Sequence, residues 1–528
     1  MTPHPGPRRP RSDQPPTRRD LLRWGAHGLA AVPFGALIGC SGSDRDSASR
    51  ASSTTSGASA STSTTAALRT DPSGRWWLEG NYAPVTREVE AFDLNVVQGA
   101  IPSDLNGLYV RNGSNPQSGE SLMWFFGDGM AHGVSLGGGS AAWYRNRYVN
   151  TTLYQQNLGF GDSVPGGAAN QSNVSFFHHA GRLLSSGEVG APYELDPADL
   201  STIGVHTFDS ALTSAFTAHP KIDPDTGHLH SFGYGFVAPY LTYHVTDTTG
   251  AMIHSEPVEV PRSTMMHDFM ITDRDVIFMD LPVVFDLDAA SRWMADPTVA
   301  ATPFQWQPEV GARLGVMPLG GPASAITWYD IDPCYVFHSV NAYRDGDTIV
   351  MDVCRQESMF AADMVGLGGG LTLRRWTLNT VTGSFDDTVV EQDNPGELPT
   401  RDPRRVGRRH RYGYLVETHE LDDGTPAFGG LIKHDFDRDT RDVWTPSDGE
   451  QASEWLFVPG TGDTSDTGDT SDTADDAGYA MSYVYNAAGD ASQLVIIDAT
   501  DVASGPVARI ELPQRVPYGF HAAWVPSA

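Results

Sequence analysis

Four histidines share a setting that suits metal binding. Each lies within or beside a short apolar run and before a turn: His219 in FTAHPKIDPDTG, His267 in TMMHDFMITD, His338 in CYVFHSVNAYRDGD and His521 in VPYGFHAAW. Residues at strand ends can point into one space, and a metal site needs several ligands from distant parts of a fold. The four together indicate a candidate metal site, whereas His521 taken alone is more typical of a core residue closing a sheet.

The number of cysteines limits which residue types could bind the metal, and the remaining histidines have other settings. The chain has 17 histidines but only three cysteines, Cys40, Cys334 and Cys354, too few for a disulfide framework or a thiolate zinc cluster. A metal must therefore be bound by histidine and carboxylate. Cys334 and Cys354 lie in apolar runs and are predicted to be small buried residues. Histidine pairs next to turn residues are predicted to be surface or turn residues: His178 and His179, and His228 and His230.

The elements that would position these side chains are short strands. Runs such as HLHSFGYGF, DVIFMDLPVVF and QLVIIDA are rich in strand-forming residues and are bounded by turn pairs such as Asp-Gly and Pro-Asp. Helical windows are few, and ASRWMADP is the clearest. An all-β body of about 450 residues is too long for an ordinary sandwich, so the predicted fold is a β-propeller. No fixed-period repeat is visible.

The charge balance excludes one class of partner. Lys and Arg number 35 against 65 Asp and Glu, a formal net charge of −30. Phosphate binding requires a basic face, so nucleic acid is excluded as a partner.

The N-terminus has the form of an export signal. Arg18 and Arg19 precede a modestly apolar run that is short for a membrane span, which is typical of a twin-arginine signal. The run ends in Leu37, Ile38, Gly39 and Cys40, the pattern of a lipobox. Residues 1–40 are therefore predicted to be a signal, with a lipid anchor on Cys40.

Three further segments follow from composition. Residues 41–70 are mostly Ser, Thr, Ala and Gly and are predicted to be a disordered tether. Residues 71–528 are the predicted folded body. Within them, residues 460–478 are acidic and lack large apolar side chains, which predicts a surface loop insertion.

With these features, the sequence resembles the carotenoid cleavage oxygenases, a family that includes apocarotenoid oxygenases, retinoid isomerohydrolases and lignostilbene dioxygenases. The resemblance runs from about Trp77 to Trp524 and includes GNYAPV, IPSDLNGLYVRNGSNP, FFGDGMAHGVSL, YRNRYVNT, PYELDP and the four histidine segments in order. Two departures are Ser114, where the family usually has Pro, and Arg344, where Glu is common. Neither is a ligand position.

This resemblance implies a seven-bladed β-propeller with one Fe²⁺ on its axis. The implied ligands are His219, His267, His338 and His521. The terminal strand would close the propeller and carry His521. Three glutamates would accept the outer ring N–H of ligand imidazoles. They map onto Glu188 in SGEVGAPYELDP, Glu397 in GELPTRDP and Glu454 in SEWLFVPG, with Glu397 in the most altered segment.

The implied reaction is oxidative cleavage of a carbon–carbon double bond. Four neutral imidazoles would leave two adjacent positions open on the iron, one for oxygen and one beside an apolar alkene. Both atoms of molecular oxygen would enter the products, two carbonyl compounds, and no organic cofactor is required. Phe337, Phe126 and Trp124 are candidates for the wall of a dry substrate tunnel, although such aromatic residues are often core.

The substrate class is the next expectation. Lignostilbene-cleaving members use a Tyr and a Lys to bind a phenol, and no lysine lies near YRNRYVNTTLYQQN. This favours a carotenoid or apocarotenoid over a stilbenoid. A lipid anchor would hold the enzyme on the outer face of the cytoplasmic membrane, near an apolar substrate.

Two other functions stay open. An isomerohydrolase would use the same iron site. A vestigial propeller that only binds a ligand would be expected to have lost a histidine or glutamate of the site, and all seven are present.

Overall fold

The computed structural model describes residues 75–158, 170–295, 303–360, 369–421, 424–460 and 476–527. This part of the chain is almost entirely β. Its helices are α1 (Thr152–Gln156) and α2 (Leu287–Ala295), and its 3₁₀ helices are Trp76–Leu78, Gly80–Tyr82, Pro308–Val310, Ala323–Ala325, Pro403–Arg405 and Val502–Ser504. Neither of the two α-helices is long and apolar enough to cross a membrane.

The strands are short and follow one another closely. The first half of the described chain contains β1 (Glu90–Phe92), β2 (Val96–Gly99), β3 (Gly107–Arg111), β4 (Met130–Gly137), β5 (Ser140–Tyr148), β6 (Ser175–His179), β7 (Arg182–Ser186), β8 (Tyr193–Leu195), β9 (Thr202–Val205), β10 (Lys221–Ile222), β11 (Leu229–Tyr234), β12 (Leu241–Thr246), β13 (Met252–Val258), β14 (Phe269–Ile271), β15 (Asp275–Asp280), β16 (Val283–Phe285) and β17 (Phe304–Trp306).

The second half continues the same pattern. It contains β18 (Ala312–Pro318), β19 (Thr327–Ile331), β20 (Tyr335–Asp345), β21 (Thr348–Gln356), β22 (Thr372–Asn379), β23 (Phe385–Glu391), β24 (Glu397–Thr400), β25 (Tyr412–Glu420), β26 (Pro426–Asp435), β27 (Thr440–Trp444), β28 (Glu450–Ala452), β29 (Leu456–Pro459), β30 (Gly478–Asn486), β31 (Ala491–Asp498), β32 (Pro506–Glu511) and β33 (Ala522–Pro526).

These strands form the seven antiparallel blades of a β-propeller. Blade 1 has the order β1-β5-β4-β3-β33, blade 2 is β6 to β9, blade 3 is β10 to β13, blade 4 is β14-β15-β18-β19, blade 5 is β20 to β23, blade 6 is β24 to β27, and blade 7 is β2-β32-β31-β30 with β28 and β29 both paired to β30. The hairpin β16-β17 is a separate sheet between β15 and β18.

The two ends of the described chain lock the ring. The last strand, β33, pairs with β3, so that Gly107 faces Pro526 and Arg111 faces Ala522. The early strand β2 pairs in turn with β32 of blade 7. The first strands of neighbouring blades also contact one another, as β14 does with β20 and β20 with β24. This arrangement gathers the starts of those strands near the middle of the molecule.

Several predictions from the sequence are confirmed. The runs quoted above contain β11, β15 with β16, and most of β31, and residues 290–295 of ASRWMADP lie in α2. Cys334 and Cys354 are buried. The seven-bladed propeller is the fold that the resemblance implied.

The prediction for the histidine pairs at turns is wrong in part. His179 and His230 are buried, in β6 and β11, whereas His178 and His228 are half-buried. A polar partner satisfies each buried ring: His230 Nδ1 lies 2.6 Å from the Tyr243 hydroxyl, and His179 Nε2 lies 3.1 Å from the Gly227 carbonyl oxygen. A hydrogen-bonded imidazole can be buried at little cost, even next to a turn.

Residues 1–40, 41–70 and 461–475 lie outside the described residues. The export signal, the tether and the acidic insertion therefore stay predictions. β29 and β30, on either side of the acidic segment, pair directly with each other.

Candidate metal centre

The four histidines come from the starts of strands in four different blades. His219 precedes β10, His267 precedes β14 and His521 lies immediately before β33, whereas His338 is the fourth residue of β20. These strands belong to blades 3, 4, 1 and 5. Residues that are far apart in sequence thus meet in one place because each of these four strands begins near the axis.

The imidazole nitrogens of these histidines converge. One ring nitrogen of each histidine lies within 4.8 Å of the others. His267 Nε2 is 2.9 Å from His219 Nε2 and 3.2 Å from His338 Nε2. The rings of His219 and His521 have their centroids 4.5 Å apart. The prediction that these four residues share one space is therefore met by the geometry.

Three glutamates hold the outer nitrogens of the rings. His338 Nδ1 lies 2.7 Å from Glu397 Oε2, and His521 Nδ1 lies 2.7 Å from Glu454 Oε1. His267 Nδ1 makes the same contact with Glu188. A carboxylate accepts a hydrogen bond, so each Nδ1 carries the proton and each Nε2 directs a lone pair inward.

The glutamates are themselves fixed by the fold. Glu188 follows β7, Glu397 begins β24 in blade 6, and Glu454 lies between β28 and β29 in blade 7. The Tyr234 hydroxyl donates to Glu188, and the backbone N–H of Ala522 donates to Glu454 at 2.6 Å. Together with the histidines, the site therefore draws on all seven blades.

Burial sets the protonation of two of these rings. Desolvation lowers the pKa of His219 and of His267 well below the ordinary histidine range, and neighbouring imidazoles lower both further. Burial also lowers the pKa of His338, but the carboxylates of Glu397, Asp268 and Glu454 together outweigh it, and the pKa is raised overall. His219 and His267 are consequently neutral, the form in which imidazole binds a metal.

The donor set fits a divalent transition metal. Imidazole nitrogens whose lone pairs face one another at about 3 Å repel unless a cation lies among them, and His219, His267 and His338 have this arrangement. Imidazole suits zinc, copper, iron and nickel, whereas calcium and magnesium prefer oxygen ligands. The described residues therefore include one four-histidine group that could hold such an ion.

A cavity of about 630 Å³ adjoins the histidines, a volume within the range of small-molecule sites. His267, His338 and His521 form part of its lining. The wall is largely aromatic and includes the three residues predicted for it: Trp124, Phe126 and Phe337.

The aromatic side chains form two series that lead away from the histidines. In one series, Phe337 packs against His267 with ring centroids 5.1 Å apart, Phe360 follows at 6.3 Å from Phe337, and Phe304 at 6.2 Å from Phe360. In the other, Phe520 precedes His521 in the chain, and the ring centroids of Trp124 and Phe520 lie 4.8 Å apart. Phe125 joins the two series, with its ring 6.3 Å from Phe337 and 5.8 Å from Phe520. The cavity therefore has a continuous aromatic wall beside the histidine cluster.

Sequence reasoning missed two contributors. Phe520 stands next to His521 in an aromatic stretch and could have been selected from that position. Tyr234, which supports Glu188, had no local signal, because the two residues lie in different blades and meet only in the folded chain.

Comparison with known proteins identifies the family. The family model described as retinal pigment epithelial membrane protein (RPE65) matches residues 82–526. The carotenoid cleavage oxygenase of Mycobacterium tuberculosis is 36% identical, over 85% of this chain and 97% of that protein. The carotenoid 9,10(9',10')-cleavage dioxygenase 1 of Arabidopsis thaliana is 31% identical, over 85% of this chain and 89% of that protein.

A solved structure agrees with these relatives. The lignostilbene dioxygenase of Pseudomonas brassicacearum superposes with a TM-score of 0.75 at 27% identity, over 85% of this chain and 98% of that one. Since the family model spans nearly all of the propeller and the relatives are matched along almost their whole length, this chain is an oxidoreductase of the carotenoid cleavage oxygenase family, which the RPE65 model describes.

Proposed function

We propose that His219, His267, His338 and His521 bind one Fe²⁺ and that the protein uses molecular oxygen to cleave a double bond of a carotenoid or apocarotenoid. The observation that carries this proposal is the convergence of four imidazole nitrogens within 4.8 Å beside an aromatic cavity. The products are two carbonyl compounds. When bound, the iron supplies the activation of oxygen that side chains cannot provide.

Redox chemistry favours iron over zinc. An oxygenase requires a metal that can exchange electrons, and Zn²⁺ has no redox chemistry. Four imidazoles with no thiolate among them suit Fe²⁺. The ferrous ion is also the cofactor that the family resemblance implies.

The protein's own residues then have three tasks. Glu188, Glu397 and Glu454 keep the proton on the outer nitrogen of their histidines and fix the orientation of each ring. The aromatic walls bind an apolar chain by contact and exclude water. The position of that chain along the cavity selects the double bond that is cleaved.

Two observations support a long polyene as substrate. The aromatic wall that continues from Phe304 to Trp124 offers an elongated apolar molecule a long contact surface beside the histidines. The chain has only two lysines, Lys221 and Lys433, and both are buried in ion pairs with aspartates. A lysine that binds a phenol, as in stilbene cleavage, is therefore missing from the cavity lining of the described residues.

Stilbene-type cleavage is the second candidate. The likeness to the lignostilbene dioxygenase favours it, as do polar residues in the cavity lining, Thr418, His419 and Glu420. An isomerohydrolase would use the same histidines, and the presence of all seven site residues argues against a vestigial binding protein.

The deciding experiment is anaerobic reconstitution with Fe²⁺, followed by a panel of carotenoids, apocarotenals and stilbenes under ¹⁸O₂. We expect cleavage of polyenes and one labelled oxygen in each carbonyl product, measured before exchange with water. Turnover of stilbenes alone would establish the second candidate. A product without labelled oxygen would point to isomerohydrolase chemistry.

We also propose export by the twin-arginine route and lipid anchoring at Cys40 on the outer face of the cytoplasmic membrane. The support is the sequence pattern of Arg18, Arg19 and the lipobox. The Cys40→Ala variant is expected to move the exported protein from the membrane fraction to the soluble fraction. An unchanged distribution would rule out the anchor.

A further inference from the structure

A buried ion pair lies directly behind the histidines. Asp268 follows His267 in the chain and is 2% exposed, and Lys221 follows His219 by two residues and is 8% exposed. Lys221 Nζ donates to Asp268 Oδ1 at 2.7 Å. The pair therefore connects the first residue of β10 in blade 3 to the segment before β14 in blade 4.

The second oxygen of the same carboxylate reaches a third blade. Asp268 Oδ2 accepts from the backbone N–H of Ser339 at 2.9 Å and from its hydroxyl at 2.6 Å. Ser339 follows His338 immediately. One carboxylate thus contacts residues within two positions of three of the four histidines, in three neighbouring blades.

β20 is irregular at the point where Asp268 touches it. Its register with β21 shifts between Val336 and Ser339, on either side of His338. Such an irregularity redirects a side chain and interrupts the ladder of backbone hydrogen bonds. Asp268 supplies an acceptor for the Ser339 N–H there, so it stabilises the local geometry that aims His338.

Stability alone does not account for a buried ion pair at this position. Burial of two charges carries a large desolvation cost, and hydrophobic replacements of such pairs are often neutral or stabilising. The chain nevertheless keeps a lysine here, although only two of its 35 basic residues are lysines. A compact ammonium group suits a single buried carboxylate oxygen better than the planar fork of arginine does.

We propose that Asp268 is a positioning residue that sets the spacing of His219, His267 and His338, with Lys221 as its charge partner. Asp268 does not bind the metal; it ties together the three segments that carry the ligands. This inference rests on the metal-binding function proposed above. By this inference, metal affinity depends on Asp268 through the spacing of the ligands, in addition to the three glutamates that orient the rings.

The chain contains a matched control for this pair. Lys433 and Asp476 are likewise buried, with exposures of 4% and 9%, and Lys433 Nζ lies 2.7 Å from Asp476 Oδ2. The other contacts of Lys433 are the Ala499 carbonyl and the ring of Tyr412. The two pairs match in residue type, distance and burial, and only the first adjoins the histidines.

The test compares Asp268→Asn, Ser339→Ala and Asp476→Asn with the wild type. Co²⁺ serves as the probe, because its visible absorption reports the ligand geometry, and iron per chain is measured after anaerobic dialysis. We expect Asp268→Asn to weaken Co²⁺ binding by about 10- to 100-fold and to change the spectrum. Ser339→Ala should do so to a smaller extent, and Asp476→Asn should keep the wild-type affinity and spectrum while lowering Tm.

Three outcomes would overturn the inference alone, and a fourth would overturn it together with the proposed function. A folded Asp268→Asn protein with wild-type affinity and spectrum would do so, as would equal weakening by Asp268→Asn and Asp476→Asn. If Asp268→Asn does not fold, Ser339→Ala decides, and wild-type affinity in that variant refutes the proposal. A wild type that binds neither Co²⁺ nor Fe²⁺ would instead refute the proposed function, and the positioning role with it.

Discussion

At the scale of single residues, the partners of a buried histidine separate a candidate ligand from a structural residue. A carboxylate partner alone is not enough to identify a ligand. His410 Nε2 lies 3.1 Å from the Asp352 carboxylate, yet His410 is a buried structural residue between blades 5 and 6. The four site histidines differ in that their inner nitrogens face one another. The convergence of these inner nitrogens defines the candidate ligands, and three of the four rings also have a carboxylate behind them.

Replacement of each site histidine is the first prediction. His219→Ala, His267→Ala, His338→Ala and His521→Ala should each abolish iron binding or turnover, because one of four ligands is lost. Iron per chain and product formation are the measurements. His230→Ala is the control, since His230 is buried but bonds to a tyrosine, and this variant should lose stability while retaining iron. Full iron content and activity in a site variant would remove that residue from the site.

Replacement of the glutamates is the second prediction. Glu188→Gln, Glu397→Gln and Glu454→Gln should each lower iron retention or rate by about 10- to 100-fold, because the imidazole loses its charged acceptor. Glu450→Gln is the control, since Glu450 pairs with Arg509 and not with a histidine. Dialysis against a chelator, followed by iron analysis, gives the measurement. Wild-type retention in all three variants would show that their assigned role is wrong.

At the scale of elements, the sequence predicted the strands but not the position of each strand within its blade. Val, Ile, Tyr and Phe runs between turns are recognisable because a pleated strand buries them. Which strand begins at the axis depends on pairing across the whole ring. The blades also differ in length, since the hairpin β16-β17 interrupts blade 4, and this explains why no fixed repeat is visible. The histidine segments were found by their setting and by family resemblance, not by period.

The segment before the last strand contains a close backbone approach, which gives the third prediction. A Cβ added to Gly519 would lie 2.6 Å from the Asn112 carbonyl oxygen and would meet the Arg111 guanidinium. That carbonyl also accepts from the Phe520 N–H at 2.9 Å. Gly519→Ala should therefore cost about 1–3 kcal/mol of stability and displace His521, two residues later.

Thermal unfolding and iron per chain test this prediction. Gly489→Ala is the control, because Gly489 is exposed and its nearest heavy atom to an added Cβ is 3.9 Å away. Both values should stay close to wild type in the control. A Gly519→Ala protein with unchanged Tm and iron content would mean that the strand tolerates the extra atom without moving.

At the scale of the whole molecule, the site exists only when the ring is closed. His521 lies immediately before the strand that pairs with β3, at the other end of the chain. The sequence could predict that closure through family resemblance. It could not predict the two aromatic series of the cavity, because Phe304, Phe360 and Trp124 meet their neighbours across blade boundaries. Contacts of this kind depend on packing that no local pattern records.

Closure of the ring also bears on how the metal enters, which is the fourth prediction. Copper and zinc bind imidazole more tightly than ferrous iron does, so an enzyme folded outside the cytoplasm would risk the wrong metal. Twin-arginine export carries folded proteins. We therefore expect iron to be bound in the cytoplasm and retained when the strand carrying His521 closes the propeller.

Two changes to the signal test this expectation. Replacement of Arg18 and Arg19 by Lys should leave an iron-loaded, active enzyme inside the cell. A signal that exports unfolded chains should deliver protein outside with other metals or none, as metal analysis of the purified protein would show. The lysine variant is the control, because it keeps the same folded body and differs only in its route. Iron and normal activity in the protein exported unfolded would refute cytoplasmic loading but not the four-histidine assignment, since ligand identity depends on the closed ring and not on the compartment in which it closes.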